Sequence, residues 1–125
     1  MDEKRKILIV EDDMFIRDIY QVKFFQEGFD VTTAEDGIKA LEILETMTPD
    51  IILLDIIMPY MNGMEVLKKI KENDVLKKIP VIMLTNISEK EKVTEGTELG
   101  ISDYIIKSHF TPSEVVHKVN ALLNA

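Results

Sequence analysis

The sequence contains no cysteine, so disulfide bonds and thiolate metal sites are both excluded. This absence makes an intracellular setting the default, and we expect the protein to stay in the cytoplasm. The charged start, residues 1–6, leads into only a short apolar run, so we expect neither a signal peptide nor a membrane-inserted segment. Repeats, linkers and low-complexity segments are also lacking. We therefore expect residues 1–125 to form one domain, which is long enough to bury a core.

Basic residues are fewer than acidic ones, 15 against 23, which gives a formal net charge of -8. Nucleic acids and anionic membrane surfaces are polyanions, so this charge argues against direct binding to either. A partner with a basic surface fits better. Hydrophobic residues make up 46% of the chain and charged residues 30%, a composition that is ordinary for a folded domain.

Short apolar or β-branched runs alternate with amphipathic segments along the whole chain. The predicted strands cover residues 6–10, 30–34, 51–54, 81–84 and 103–106. The third of these runs is wholly apolar, which is typical of a central strand covered on both faces of a parallel sheet. Five strand–helix units predict an α/β fold in which a doubly wound, five-stranded parallel sheet is packed with five helices. We expect the flavodoxin-like strand order 2-1-3-4-5, which is one of the common orders of such sheets.

The apolar residues of each predicted helix recur at helical spacing. In the first helix, over residues 13–26, Phe15, Ile19 and Val22 share one face. Three further sets mark the core sides of the second, third and fifth helices: Ile38, Leu41 and Leu44; Met64, Leu67 and Ile70; and Val115, Val119, Leu122 and Leu123. The fourth helix begins at a predicted capping box of Ser88 and Glu91. It has few apolar anchors and contains Gly96, so we expect it to be the loosest helix.

Polar residues follow the predicted strands, and the carboxyl ends of parallel strands meet at one edge of a sheet. The residues in these positions are Glu11, Asp12, Asp13, Asp55, Thr85 and Lys107. The crevice of such a sheet lies between the first and third strands, and these carry the acids. Asp13 fits a helix cap. Glu35 and Asp36 follow an edge strand, and we interpret them as turn residues with Gly37.

Three of these carboxylates, those of Glu11, Asp12 and Asp55, would repel one another by several kcal/mol unless a cation or a proton compensates their charge. Hard oxygen ligands without histidine or cysteine predict Mg²⁺. Such an ion accepts one or two carboxylates together with a phosphate oxygen, so the site is suited to phosphoryl chemistry in which an aspartate acts as the nucleophile.

The sequence resembles the receiver domains of two-component response regulators, of the single-domain, chemotaxis-regulator-like kind, over essentially its whole length. The resemblance is carried by the acidic pair after ILIV, the segment DIIMPYMNGMEVL, the threonine in VIMLTN and the lysine in DYIIK. It implies that Asp55 is the phosphoacceptor and that Glu11 and Asp12 hold Mg²⁺ with it. The Ile57 backbone carbonyl would be a further ligand. Lys107 resembles the phosphate-pairing lysine, Thr85 the hydroxyl that closes on the phosphoryl group, and Tyr104 the aromatic that turns inward.

The resemblance also implies the partners, namely a sensor histidine kinase or a phosphotransfer protein and a downstream target that the sequence does not name. Phosphorylation would change the face formed by the fourth helix, the fifth strand and the fifth helix. On the residues alone, Tyr104 fits a half-buried packing aromatic equally well. Lys107 also fits an ordinary surface lysine, and Thr85 an ordinary strand residue.

The chain departs from the usual receiver pattern at four positions. Ser108 stands where receivers have a proline after a cis peptide bond, which a non-proline residue adopts only at a cost of about 3 kcal/mol. Asn86 replaces a small residue. Ile57 and Ile87 flank the path of an attacking water and are apolar, so neither orients that water. We therefore expect slow self-dephosphorylation.

Three other functions are weighed against this one. A haloacid-dehalogenase-type phosphatase also uses an aspartate with Mg²⁺, but its general acid would fall on Ile57, which cannot transfer a proton. A flavodoxin-like flavin binder would need a phosphate loop where this chain has Glu11, Asp12 and Asp13, and acids repel phosphate. A binding module that works without phosphorylation would not need the complete set of acids.

Overall fold

The computed structural model describes residues 4–86 and 90–124, in which strands and helices alternate. The strands are β1 (Lys6–Val10), β2 (Asp30–Ala34), β3 (Ile51–Leu54), β4 (Val81–Thr85) and β5 (Asp103–Ile106). The helices are α1 (Met14–Gln26), α2 (Gly37–Leu44), α3 (Gly63–Glu72), α4 (Lys90–Leu99) and α5 (Pro112–Leu123). Short 3₁₀ turns lie at Leu76–Lys78 and Lys107–His109. Each predicted strand is present, and β4 is one residue longer than predicted because it ends on Thr85.

The five strands form one parallel sheet in the order β2-β1-β3-β4-β5, as predicted. Strand β1 pairs with β3 from Ile7 opposite Ile51 to Val10 opposite Leu54. The residues that follow these two strands are therefore neighbours at the carboxyl edge of the sheet.

The core consists of two apolar layers, one on each face of the sheet. Successive residues of β1 alternate between them, so that Ile7 and Ile9 face one layer while Leu8 and Val10 face the other. Helices α1 and α5 cover the first layer, and α2 and α3 cover the second. All four residues of β3 are buried, which confirms that this strand is central and covered on both sides.

Polar caps fix the starts of the helices around the sheet. Asp13 accepts hydrogen bonds from the backbone N–H groups of Phe15 and Ile16, as expected of a cap. Thr111 forms a capping box with Glu114, and Pro112 occupies the first turn of α5. The capping box expected from Ser88 and Glu91 falls on residues and side chains outside the described part of the structure. The looseness of α4 stays a prediction.

The apolar face shared by Phe15, Ile19 and Val22 does not contact the core. All three side chains are exposed, Phe15 by 75%, while Tyr20 and Phe24 are buried. Helix α1 carries two apolar stripes, and the stripe that contains Tyr20 and Phe24 packs on the sheet.

The predicted core side of α2 was partly wrong, since Ile38 is exposed although Leu44 is buried and Leu41 is half-buried. Ala40 is buried instead of Ile38, so the buried face of α2 consists of Gly37, Ala40 and Leu44. The predicted core residues of α3 are all buried. In α5, Val115 and Val119 are buried and the two leucines are half-buried. Within residues 4–86 and 90–124, each helix is too short or too polar to cross a lipid bilayer.

Candidate functional site

Glu11, Asp12 and Asp55 converge at the carboxyl edge of the sheet, as predicted. One carboxylate oxygen from each lies within 4.8 Å of the other two. Glu11 and Asp55 are only 4% and 7% exposed, whereas Asp12 is exposed at the rim. Buried carboxylates at this separation repel one another strongly, so the site needs a compensating positive charge.

The backbone of both buried acids is held by the sheet itself. The Asp55 N–H donates to the Val10 carbonyl over 3.1 Å, and the Glu11 N–H donates to the Ala34 carbonyl over 3.0 Å. These bonds continue the ladders of β1 with its two neighbours. The two carboxylates therefore have fixed points of attachment.

The connection from β3 to α3 packs tightly against Asp55. A Cβ atom added to Gly63 would lie 2.0 Å from the Asp55 carbonyl oxygen, so only glycine fits at this position. The Gly63 N–H donates to the Ile56 carbonyl over 2.7 Å, and the Ile56 N–H donates to Oδ1 of Asp55, also over 2.7 Å. Within the connection, Tyr60 has a φ of 70°, in the left-handed region. The loop that follows Asp55 thus holds both its carbonyl group, through the contact with Gly63, and its side chain, through the Ile56 N–H.

Lys107 supplies the positive charge that the acids require. Its Nζ donates to Oδ2 of Asp55 over 2.9 Å and forms an ion pair with Oε1 of Glu11. All three side chains are almost fully buried. The peptide bonds of the described residues are all trans, which includes the bond between Lys107 and Ser108.

Burial and ion pairing have opposite effects on the pKa values of Glu11 and Lys107. Burial raises the pKa of Glu11 to about 7, although the hydrogen bonds from Lys107 and the Asp13 N–H lower it. Burial also lowers the pKa of Lys107, but its bonds to Glu11 and Asp55 outweigh this effect and raise the pKa above its usual value. Lys107 therefore stays charged.

The acids and Lys107 line a cavity of about 250 Å³ that opens at the surface. Thr85, the fully buried last residue of β4, also lines it, together with the exposed side chains of Asn86 and Ile57. Glu35 and Asp36 line a separate cavity, and Asp36 caps α2, in agreement with their interpretation as turn residues.

Tyr104 is not among the residues that line the acidic cavity. It lies half-buried in β5 opposite Met83 and packs against the core layer under α2 and α3. Its position fits the packing interpretation in this state and leaves the predicted inward turn untested.

The sequence-based prediction missed two residues of α1 that support the site. Arg17 donates from Nη1 to the Glu11 carbonyl over 2.9 Å, and Ile16 lines the acidic cavity. Both lie in the first turn after the Asp13 cap, so the cap position and helical spacing were the available signals. The contact was not predicted because it depends on the direction in which α1 leaves β1.

Fold and site together define an α/β domain with a carboxylate and lysine pocket at the carboxyl edge of its parallel sheet. Comparison with known proteins identifies the family, since the family described as "Response regulator receiver domain" matches residues 7–120. The chain belongs to this family. As a receiver domain, it is a phosphorylation-dependent switch of two-component signalling, a class of signalling proteins distinct from classical enzymes.

Curated relatives include the alkaline phosphatase synthesis transcriptional regulatory protein PhoP of Bacillus subtilis. It is 40% identical over 119 residues, which are 95% of this chain and 48% of that protein. The phosphate regulon transcriptional regulatory protein PhoB of Escherichia coli is 39% identical over 95% of this chain and 52% of its own length. The chain spans about half the length of these curated relatives.

Solved structures match along almost their whole length. The chemotaxis response regulator CheY4 of Vibrio cholerae is 30% identical, with a TM-score of 0.88 and coverage of 95% of this chain and 98% of that one. The Francisella response regulator 1452 receiver domain is 34% identical, also with a TM-score of 0.88, and the match covers 97% of this chain and 98% of that chain. These likenesses confirm the predicted fold.

Proposed function

We propose that Asp55 is the phosphoacceptor of this switch and receives its phosphoryl group from a sensor histidine kinase or a phosphotransfer protein. The observation that carries this proposal is that Asp55 contacts both the acid cluster and Lys107. Its carboxylate lies beside those of Glu11 and Asp12 and accepts a hydrogen bond from Lys107. A nucleophilic carboxylate needs both a group that offsets charge and a group that pairs with the incoming phosphoryl oxygens.

The acids fit Mg²⁺ as the cation of this site. The cluster offers three carboxylates and neither histidine nor cysteine, which is the hard oxygen set that Mg²⁺ prefers. Glu11, Asp12 and Asp55 would hold the ion, and we propose the Ile57 carbonyl as a further ligand. Bound Mg²⁺ would offset negative charge on the phosphoryl oxygens.

The residues of the chain then have separate roles in the transfer. An Asp55 carboxylate oxygen forms the new bond to phosphorus while the bond from phosphorus to the donor histidine nitrogen breaks, and the electron pair leaves with the imidazole. Lys107 moves from its carboxylate partners to a phosphoryl oxygen. The Thr85 hydroxyl, in the same cavity, donates to another phosphoryl oxygen.

Closure of Thr85 on the phosphoryl group would connect the phosphorylation site with the face formed by α4, β5 and α5. Thr85 ends β4, and β4 pairs with β5, in which Tyr104 lies opposite Met83. We propose that Tyr104 turns inward when Thr85 closes on the phosphoryl group, which changes the surface of α4, β5 and α5. The unidentified target protein then binds this surface. The net charge of -8 favours a protein target over direct contact of this domain with nucleic acid.

The exposed apolar face of α1 supports docking of the phosphodonor. Phe15 and Ile19 lie on this face, and Ile16 beside them lines the acidic cavity. A donor histidine has to reach Asp55 through that cavity, so the donor protein covers its rim. Burial of exposed apolar side chains at the rim would stabilise the complex.

The chemical step is tested with Mg²⁺ and a small phosphodonor, without any partner protein. We expect one acid-stable, base-labile phosphoryl group per chain in the parent protein and none in Asp55→Asn, measured by intact mass. Asp74→Asn is the matched control because Asp74 is fully exposed on the surface, and it should be phosphorylated like the parent. Phosphorylation of Asp55→Asn at the parental rate would refute the assignment. Folded parent protein that stays unmodified would favour a binding module that works without phosphorylation.

The extent and location of the domain are part of the same proposal. We propose that residues 1–125 form one receiver domain and that the phosphotransfer takes place in the cytoplasm. The family match from residue 7 to residue 120 supports the first point, and membership of a two-component signalling family supports the second.

A further inference from the structure

Arg17 is joined to both ends of the acidic segment formed by residues 11–13. Its backbone N–H donates to the Asp13 carbonyl over 2.9 Å, which is the first hydrogen bond of α1. Its side chain reaches back from the helix, and Nη1 donates to the Glu11 carbonyl, also over 2.9 Å. One residue therefore holds the carbonyl groups on either side of Asp12.

The Glu11 carbonyl belongs to the peptide group that joins Glu11 to Asp12. A peptide group is planar, so a hydrogen bond that fixes its carbonyl also restricts the direction in which the Cα atom of Asp12 lies. The Glu11 N–H is bound to the Ala34 carbonyl at the end of the sheet. Arg17 thus extends the anchoring of the backbone by one residue, from the buried Glu11 to the acid at the rim.

Asp12 depends on its backbone more than the other two acids do. Glu11 and Asp55 are buried and bind Lys107, whereas Asp12 is exposed. A carboxylate oxygen of Asp12 nevertheless lies within 4.8 Å of an oxygen of each of the other acids. Like charges at this separation repel one another, and burial does not keep Asp12 in place. Its position in the cluster is therefore set by the backbone that carries it.

The partner of the Arg17 side chain is a carbonyl group rather than a carboxylate. Among the side chains that the structure describes, Arg17 forms no ion pair, although three acids lie close before it in the chain. An arginine that served to neutralise these acids would pair with their oxygens. A guanidinium bound to a carbonyl leaves the carboxylate oxygens available for a cation, and its rigid, planar shape gives the bond a fixed direction.

We propose that Arg17 is a positioning residue of the cation site, which holds the backbone on either side of Asp12 so that the exposed carboxylate stays in the cluster. The inference rests on the proposed function, because that function makes Asp12 a ligand of Mg²⁺. Groups that orient metal ligands without touching the ion contribute to the affinity of a site, and their removal weakens binding by about tenfold or more.

The test removes the guanidinium group and keeps the aliphatic stem. Arg5→Met is the matched control for Arg17→Met, because Arg5 is the other arginine of the chain and donates to the Leu123 carbonyl outside the acidic cavity. Titration of the unphosphorylated proteins with Mg²⁺, followed by amide NMR, should give a dissociation constant about tenfold higher for Arg17→Met and an unchanged one for Arg5→Met. Loss of positive charge alone would tighten cation binding, so weaker binding reports the position of the ligands.

The same substitution in the Asp12→Asn background separates positioning from general stabilisation. If Arg17 acts through Asp12, Arg17→Met should weaken Mg²⁺ binding there by less than about twofold, because two residues that act through one contact have non-additive effects. Equal weakening in both backgrounds would overturn the inference. So would an Arg17→Met protein that unfolds at a lower temperature but binds Mg²⁺ as tightly as the parent, and this result would leave the role of Asp55 intact.

A parent protein that fails to bind Mg²⁺ would instead overturn the proposed function. If Arg17→Met does not fold, the parent protein labelled with ¹⁵N-arginine decides the question by NMR. Coupling between the hydrogen bond and the ion is reciprocal, so Mg²⁺ should slow the exchange of the Arg17 guanidinium protons with water and leave that of Arg5 unchanged. Exchange at Arg17 that Mg²⁺ does not slow would overturn the inference.

Discussion

Lys107 donates a hydrogen bond to Oδ2 of Asp55 over 2.9 Å, although the two residues are 52 positions apart in the chain. This bond joins the end of β5 to the end of β3 across the intervening strand β4. Because Lys107 also pairs with Glu11, one cation offsets two buried carboxylates in the resting site. Removing a cation from such a group leaves buried charge without a partner, which costs more than the pair contributes.

Replacement of Lys107 by alanine should therefore destabilise the protein in the absence of divalent cations. We expect the free energy of unfolding at pH 7 to fall by about 3 kcal/mol, measured by urea denaturation in the presence of a chelator. Added Mg²⁺ should recover most of this loss, since it binds the same acids. Lys118→Ala breaks the half-exposed pair with Asp103 and should cost less than about 1 kcal/mol. Equal losses in the two variants would contradict the buried pairing.

Gly63 provides a test of the close contact between α3 and Asp55. In Gly63→Ala the new Cβ would meet the Asp55 carbonyl, so the loop and the start of α3 have to move. We expect a loss of about 3 kcal/mol in the free energy of unfolding and slower phosphorylation by a small donor. Gly28→Ala is the matched control, because Gly28 has a φ of 90° and open space around its Cβ position, so only backbone strain of about 1 kcal/mol applies. A Gly63→Ala protein as stable as Gly28→Ala would show that the contact is not tight.

The exposed Ile57 should slow the loss of the phosphoryl group, because an apolar side chain at the mouth of the cavity cannot orient an attacking water. We expect Ile57→Asn to shorten the lifetime of phosphorylated Asp55 by about tenfold, measured from the decay of the adduct after removal of the donor. Val75→Asn makes the same kind of change at another exposed apolar position outside the cavity and should leave the lifetime unchanged. An unchanged or longer lifetime in Ile57→Asn would refute the assignment. The second predicted position, Ile87, lies outside the described residues.

Two phenylalanines of α1 distinguish its buried side from its exposed side. Phe24→Ala should lower the free energy of unfolding by about 3 to 4 kcal/mol, because it opens a cavity in the layer between α1 and the sheet. Phe15→Ala, the same substitution on the exposed face, should change it by less than about 0.5 kcal/mol. Chemical denaturation measures both values. A larger loss in Phe15→Ala would place the core on the face that the periodicity of Phe15, Ile19 and Val22 suggested.

The sheet and the meeting of the acids were predictable from the sequence because both follow from short-range patterns and one rule of topology. The apolar run of β3 required cover on both faces, and parallel strands bring their carboxyl ends together. Glu11 and Asp55 then had to be neighbours once β1 and β3 were neighbours. No side-chain detail was needed for that conclusion.

The remaining features depend on three-dimensional detail that the pattern does not contain. Helix α1 has two apolar stripes, and only packing selects the one that contains Tyr20 and Phe24. The tight fit at Gly63 and the left-handed backbone of Tyr60 depend on the path of the loop after β3. The contact of Arg17 with the Glu11 carbonyl depends on the angle between a strand and the next helix.

The backbone hydrogen bonds of Glu11 and Asp55 attach the acid cluster to the central strands of the sheet. Their amide groups extend the ladders on both sides of β1, so local fluctuations that open surface loops leave these two amides protected. The spacing between the two anchors is thus set by main-chain hydrogen bonds, whereas Asp12 is exposed at the rim of the site. We therefore expect a variant that weakens the pairing of β1 with β3 to lower both the unfolding temperature and the affinity of the proposed cation site.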